Sequence, residues 1–259
     1  FPFRSLVKSW LVNPALLILR TRDQEQLDAA DVIFDVGRVF DIATCRFDHH
    51  QLEYTEAREN GIPYSSFGLV WRELGAELCE SAAAAARVDR WLVQGVDAMD
   101  CGITLTKETL PVTLMSISTV LGGFNPGWQD VTSAEARNEA FERAISMAMA
   151  VLQNTIRDAN GFEKARAAVA QGVLQEAGKL LVLEHDVPWK DAVLGSSEYE
   201  PLLYVITPDA QAKWHVTAVP ERAGSFNNRK SLPSAWAGLD GEELDAVIGM
   251  QDCVFCHRG

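Results

Sequence analysis

The stretch DVIFDVGRVFDIATCRFDHHQ, residues 31–51, carries four aspartates and two adjacent histidines behind an apolar run. The chain has only five histidines, so a pair of them among carboxylates organises the reading. Val32, Ile33, Phe34 and Val36 read as a buried strand stopped at Gly37, with Asp35 near its end. In open α/β sheets, ligands bind in the crevice beyond the carboxyl ends of the strands. Asp35 stands at such an end, and Asp48, His49 and His50 follow the next apolar touch point, Phe47. Hard divalent ions take carboxylate oxygens, and manganese also accepts imidazole. Two such ions about 4 Å apart can activate a water and stabilise the leaving oxygen of a phosphodiester. The bland alternative stays open at this level: Asp35 as a turn residue and the histidines as surface or hydrogen-bonding groups.

Upstream, ALLILRTRD (residues 15–23) reads as a short buried strand and DQEQLDAA as a helical turn. Downstream, SSFGLVWRELGAELCE has helical spacing, with Phe67, Val70, Leu74 and Leu78 on one face. The alanine-rich SAAAAARVDRWLVQGVDAMDCGI is expected to be helical as well. Strands alternating with helices predict an α/β fold built on a doubly wound parallel sheet over residues 1–130. Residues 131–175 read as a helical connector: one helix from Ala134 to Asp158, then a second, non-core helix from Gly161 to Gly178. From residue 176 to 259, KLLVLEH, LLYVITP, WHVTAVP and CVFCH look like strands and GEELDAVIG like a helix, giving a smaller mixed α/β lobe.

Composition narrows the function classes. The 259 residues are 47% hydrophobic and 23% charged, the range of a protein that buries a core. With 36 acidic against 23 basic residues the formal charge is -13, which argues against a wide basic face for non-specific DNA binding. It leaves room for a small site where metal ions neutralise phosphate locally. No apolar run reaches about 18 residues, so no membrane span is expected. Five cysteines at irregular spacing suit a reducing interior rather than a disulfide framework. An intracellular location is expected, cytoplasmic, or nuclear or mitochondrial in a eukaryote. FPFRSLVKSWLVNP has no clean signal-peptide pattern, and with no initiator Met and an end at CVFCHRG both termini read as trimmed. No Ser-His-Asp or His-Glu-x-x-His arrangement marks a protein hydrolase.

The ordered strings LRTRD, DVG, FDHHQ, SSFGLVW, VDAMDCGI, FNPGW, LVLEHDVPWKDAV, WHVTAVP, GSFNNRKSLPSAWAGLDGEEL and GMQDCVFCH cover nearly the whole chain. Together they resemble the melanocyte-proliferating-gene (MYG) family of predicted metal-dependent hydrolases, within the DHH phosphoesterase superfamily. The resemblance implies a two-lobe phosphoesterase with manganese, or else magnesium, between the lobes, acting as a 3′-to-5′ exoribonuclease on RNA ends or short oligonucleotides. It makes Asp35 the bridging ligand and His49 a metal-bound histidine. His50 would face the scissile phosphate, with Asp48 orienting the pair. The last carboxylate ligand matches Asp97 or Asp100, with Asp97 preferred. One departure stands out: the family's opening Phe-His-x-Asp-Glu motif meets Pro2, Arg4 and Ser5 in FPFRSLVKSWLV. That departure supports an alternative, a catalytically silent relative that binds RNA or a protein partner.

In the last lobe, AGSFNNRKSLP places Ser225, Arg229 and Lys230 in a turn-rich segment suited to gripping phosphate. The resemblance assigns this segment to substrate binding and leaves His257 as a further contact. CVFCH fits a haem-attachment pattern formally, but without an export signal no haem is expected. His185 and His215 are isolated and read as structural or surface residues. Trp189, Trp214 and Trp236 are expected in packing roles, although such rings can also stack on bases. The residues do not set the oligomeric state.

Overall fold

The structure is a computed structural model that describes residues 17–106, 114–130, 133–211 and 213–257. It divides into two compact units, one running to Asn160 and the other starting at Gly161.

In the first unit, helix α1 (Gln24–Ala29) is capped by Asp23, whose carboxylate accepts from the Gln26 amide. Three two-residue strands follow: β1 (Ile33–Phe34), β2 (Phe40–Asp41) and β3 (Arg46–Phe47). The central strand β3 pairs parallel with β1 and antiparallel with β2. This sheet is mixed, which corrects the expectation of a doubly wound parallel one. The reason is local. Asp41 accepts from the Ala43 amide and the Thr44 hydroxyl, closing a tight turn that needs no crossover helix. A second correction concerns ALLILRTRD. Its described part, residues 17–23, is irregular and Leu17 is 78% exposed. No described strand pairs with it, and a strand without a ladder partner has no backbone bonds to gain.

Helix α2 (Ser66–Leu78) lays Leu69 and Leu74 on Cys45 and Phe47 beneath the sheet. On its other flank Trp71 joins Ala84, Ala85 and Val88 of helix α3 (Ala82–Val88). A π-helical turn (Asp89–Val93) leads into helix α4 (Gln94–Asp100). Helix α5 (Ile117–Gly122) precedes helix α6, which runs unbroken from Ala134 to Ala170. That single helix replaces the two expected. A helix-interior glycine costs only about 1 kcal/mol relative to alanine, so Gly161 need not break it. Leu152, Ile156 and Ala159 pack in the first unit and Val169 in the core of the second, so its end is not the non-core segment expected.

The second unit holds a four-stranded mixed sheet in the order β4 (Val173–Gln175), β5 (Leu180–Val182), β6 (Tyr204–Pro208), β7 (Trp214–Ala218). Only β5 and β6 pair in parallel. Leu181, Val205 and Val219 pack with Trp189 and with Val193 of helix α7 (Lys190–Leu194). Helix α8 (Gly241–Ile248) ends at Gly249, whose φ of 77° is the left-handed cap that glycine adopts without strain. CVFCH is not a strand: only Phe255 makes an isolated bridge, to Asp240. Trp189 is buried as expected, whereas Trp214 is 59% exposed on edge strand β7. No described helix is long and apolar enough to cross a membrane.

Candidate metal centre

Parallel pairing of Phe34 with Phe47 sets the residues that follow those strands, Asp35 and Asp48, side by side. Three backbones in the connecting loop are left-handed: Asp35 (φ 61°), Gly37 (φ 91°) and Arg38 (φ 55°). That curl turns the Arg38 amide onto Asp48 Oδ2 at 2.7 Å. The Asp35 amide donates to the Phe47 carbonyl at 3.1 Å, which anchors the strained residue to β3.

Asp48 is buried, and its Oδ1 accepts from the His50 amide at 3.0 Å and pairs with His50 Nδ1 at 2.7 Å. Burial works to raise its carboxyl. The Arg38 and His50 hydrogen bonds outweigh that and hold it below the usual carboxylate range. A carboxylate can only accept, so the short contact places a ring proton of His50 on Nδ1. The His49 ring stacks on that of His50 with centroids 4.1 Å apart.

The N-terminus of α2 completes the arrangement. A helix leaves its first amides without intrahelical partners, and all three here are satisfied by residues around the cluster. Ser66 N–H donates to His49 Nδ1 at 3.1 Å, Phe67 N–H to Ser65 Oγ at 3.3 Å, and Gly68 N–H to Asp97 Oδ1 at 3.0 Å. Ser66 Oγ lies 3.3 Å from His49 Nδ1 and 3.3 Å from Asp35 Oδ1. One ligand-type atom from each of Asp35, Asp48, His49 and His50 falls within 4.8 Å of the others.

The two candidate carboxylates of α4 part company. Asp100 Oδ2 is 3.4 Å from His49 Nε2 and half exposed. Asp97 is fully buried on the other side of the α2 terminus. Its Oδ1 accepts from Ser65 Oγ at 2.6 Å and from Gly68, and its Oδ2 lies 2.7 Å from Arg58 Nη1. Arg58 also grips Asp89 with two bonds of 3.1 and 2.7 Å and stacks on Tyr64 at 4.1 Å. Burial pushes the Asp97 carboxyl up, opposed by Ser65, Arg58 and Gly68. Gly68 is required for this approach, since a Cβ there would sit 1.9 Å from Asp97 Oδ2. Sequence reading missed Arg58, Ser65, Ser66 and Gly68; the serine pair before an apolar helix was a visible capping signal.

The remaining candidates lie in the second unit. Arg229 Nη1 donates to the carbonyls of Tyr199, Glu200 and Leu202. Ser225 Oγ accepts from the Asn227 amide at 3.0 Å within the turn. Lys230 and His257 are exposed, the latter edge-on to Phe255.

Two imidazoles with carboxylates form a donor set that suits a first-row divalent ion better than magnesium, which prefers oxygen. The residues fit such an ion in charge as well. Among the described residues no lysine or arginine pairs with Asp35, Asp48 or Asp100, whose ion-pair neighbours are His49 and His50.

Residues 6–259 match the model of MYG1_exonuc, described as Uncharacterised protein family (UPF0160). The MYG1 exonuclease of Bos taurus is 31% identical over 272 residues, covering 93% of this chain and 71% of the bovine protein. The MYG1 exonuclease of Homo sapiens is 30% identical, covering 93% and 72% respectively. The MYG1 protein of Dictyostelium discoideum is 27% identical, covering 93% and 80%. No solved structure matches the chain significantly. The chain belongs to the MYG1_exonuc family.

Proposed function

We propose that this chain is a manganese-dependent phosphodiesterase that removes nucleotides from the 3′ ends of RNA or short oligonucleotides. The observation that carries the reading is the convergence of Asp35, Asp48, His49 and His50 within 4.8 Å, with no described basic residue paired to the carboxylates. The exonuclease names of the bovine and human relatives support the substrate class. On this reading Asp35 and His49 hold the ions, with Asp100 as the carboxylate on the far edge of the His49 ring. Asp97 then acts from behind, fixing the α2 terminus through Ser65 and Gly68. A divalent cation held here would supply Lewis-acid stabilisation of the charge that builds on phosphate during hydrolysis.

The protein's own groups do the rest. Asp48 keeps the His50 proton on Nδ1, so Nε2 stays available on a ring whose side chain is 54% exposed, positioned to accept a proton near a phosphate oxygen. The reading retains a two-lobe DHH-type organisation: a metal lobe over 1–130, a helical connector over 131–175 and a substrate lobe over 176–259. Lys230, Ser225 and His257 are the second lobe's substrate contacts. Arg229 shapes that segment through the carbonyls it ties together. An intracellular setting belongs to the same proposal and is supported by five cysteines at irregular spacing.

The test uses short RNAs labelled at the 5′ end, incubated with the chain and manganese and resolved on a gel. Stepwise 3′ shortening that chelation stops and His50→Ala abolishes is expected. RNA left intact by the folded, manganese-supplied chain contradicts the proposal. Equal degradation of DNA would redraw the substrate class. The competing reading, a silent relative, rests on Pro2, Arg4 and Ser5, which lie outside the described residues. It predicts RNA retention without shortening.

A further inference from the structure

We infer that Ser66 is a positioning residue that selects the ring tautomer of His49 and couples it to Asp35. The inference rests on the metal reading above and extends it to a residue with no role there. Ser66 opens α2, but its hydroxyl is not the helix cap, because Ser65 Oγ accepts from the Phe67 amide. The partners of the Ser66 hydroxyl are His49 Nδ1 and Asp35 Oδ1, each at 3.3 Å, and the residue is buried. A buried hydroxyl placed between two ligand candidates, and not needed for capping, calls for a role in holding them.

Ser66 offers Nδ1 of His49 two opposite partners. Its amide at 3.1 Å can only donate, which requires a bare Nδ1 and puts the ring proton on Nε2. That proton then points at Asp100 Oδ2, 3.4 Å away, and this edge of the ring has no lone pair to offer a cation. The hydroxyl can accept instead. With the proton on Nδ1, that N–H donates to Oγ, the hydroxyl donates in turn to Asp35 Oδ1, and the Ser66 amide gives up its ring acceptor. Nε2 is left with a lone pair beside the Asp100 carboxylate. Solvent takes the proton from Nε2 and returns one to Nδ1, so the ring stays neutral throughout. Ligating histidines commonly donate their second N–H to such an outer partner, which fixes ring and tautomer. Alanine at position 66 keeps the amide and deletes the hydroxyl, so it retains only the state that withholds Nε2.

The experiment is manganese calorimetry on the intact chain and on Ser66→Ala and Ser66→Thr, with metal-free melting curves alongside. Affinity is expected to fall about 10–100-fold in Ser66→Ala, the usual effect of losing an outer partner. Melting without metal should barely move, and Ser66→Thr, which keeps a hydroxyl, should restore most of the affinity. Unchanged affinity in Ser66→Ala beside a wild type that binds overturns the inference and leaves the metal reading standing. A wild type that binds no manganese overturns both. If Ser66→Ala does not fold, nitrogen-15 NMR of wild-type His49 with diamagnetic zinc decides. A proton on Nδ1 is the expected result, and one on Nε2 overturns the inference.

Discussion

Asp35 and Asp97 both accept hydrogen bonds from the first turn of α2, Asp35 from Ser66 Oγ and Asp97 from Ser65 Oγ and the Gly68 amide. Their surroundings differ in one respect that decides their chemistry. Asp97 is fully buried and lies 2.7 Å from Arg58, whose guanidinium is charged at any accessible pH. Asp35 has a side chain 59% exposed and faces two histidines, another carboxylate and no described cation. The same residue type at the same helix end is neutralised from within at one position and left to be neutralised from outside at the other. On the proposed function, a divalent ion supplies the counter-charge at the second position.

The comparison can be broken most forcefully at Arg58. Removing one partner of a buried ion pair costs about 3–5 kcal/mol, so urea unfolding should show Arg58→Ala losing that much stability. A loss below about 1 kcal/mol, the size typical of exposed pairs, would remove the contrast. Next comes Gly68→Ala, whose Cβ would meet the Asp97 carboxylate at 1.9 Å. Overpacking of this kind costs about 1–3 kcal/mol, and the same unfolding assay would read it. At Asp35 the order reverses. Asparagine tolerates the left-handed backbone at φ 61°, so Asp35→Asn should change stability by less than about 1 kcal/mol. Manganese binding by calorimetry should nevertheless weaken more than about tenfold in that variant.

Asp48 gives the smallest effect and a signed one. Its folded carboxyl is held below the usual range, so it contributes stability above that range and loses it as pH falls through the folded value. Acid unfolding curves should therefore be shallower on the acid side for Asp48→Asn. A curve superimposable on wild type would mean that the Arg38 and His50 hydrogen bonds do not stabilise the ionised form.

What was legible in the sequence follows the range of the interactions. Asp35, Asp48, His49 and His50 could be read together because one parallel pairing, Phe34 with Phe47, brings them into register. Choosing between Asp97 and Asp100 was beyond local reading. They share a helix three residues apart, and what separates them is Arg58, distant in sequence, which covers one and not the other. Ser66 was visible as part of a capping pair, but its contacts to His49 and Asp35 depend on where α2 docks. The described part of ALLILRTRD, residues 17–23, forms no strand because apolar patterning cannot supply a ladder partner. The helix across Gly161 was misread because one glycine's cost is small beside the packing of Ala159 and Val169 on either side.

The most direct measurement is a manganese-soaked crystal of this chain, with anomalous differences collected at the manganese absorption edge. A peak is expected within ligand distance of Asp35 and His49, and none at Asp97. A peak on the Asp97 side, or no peak at the cluster in crystals that diffract well, would contradict the metal reading.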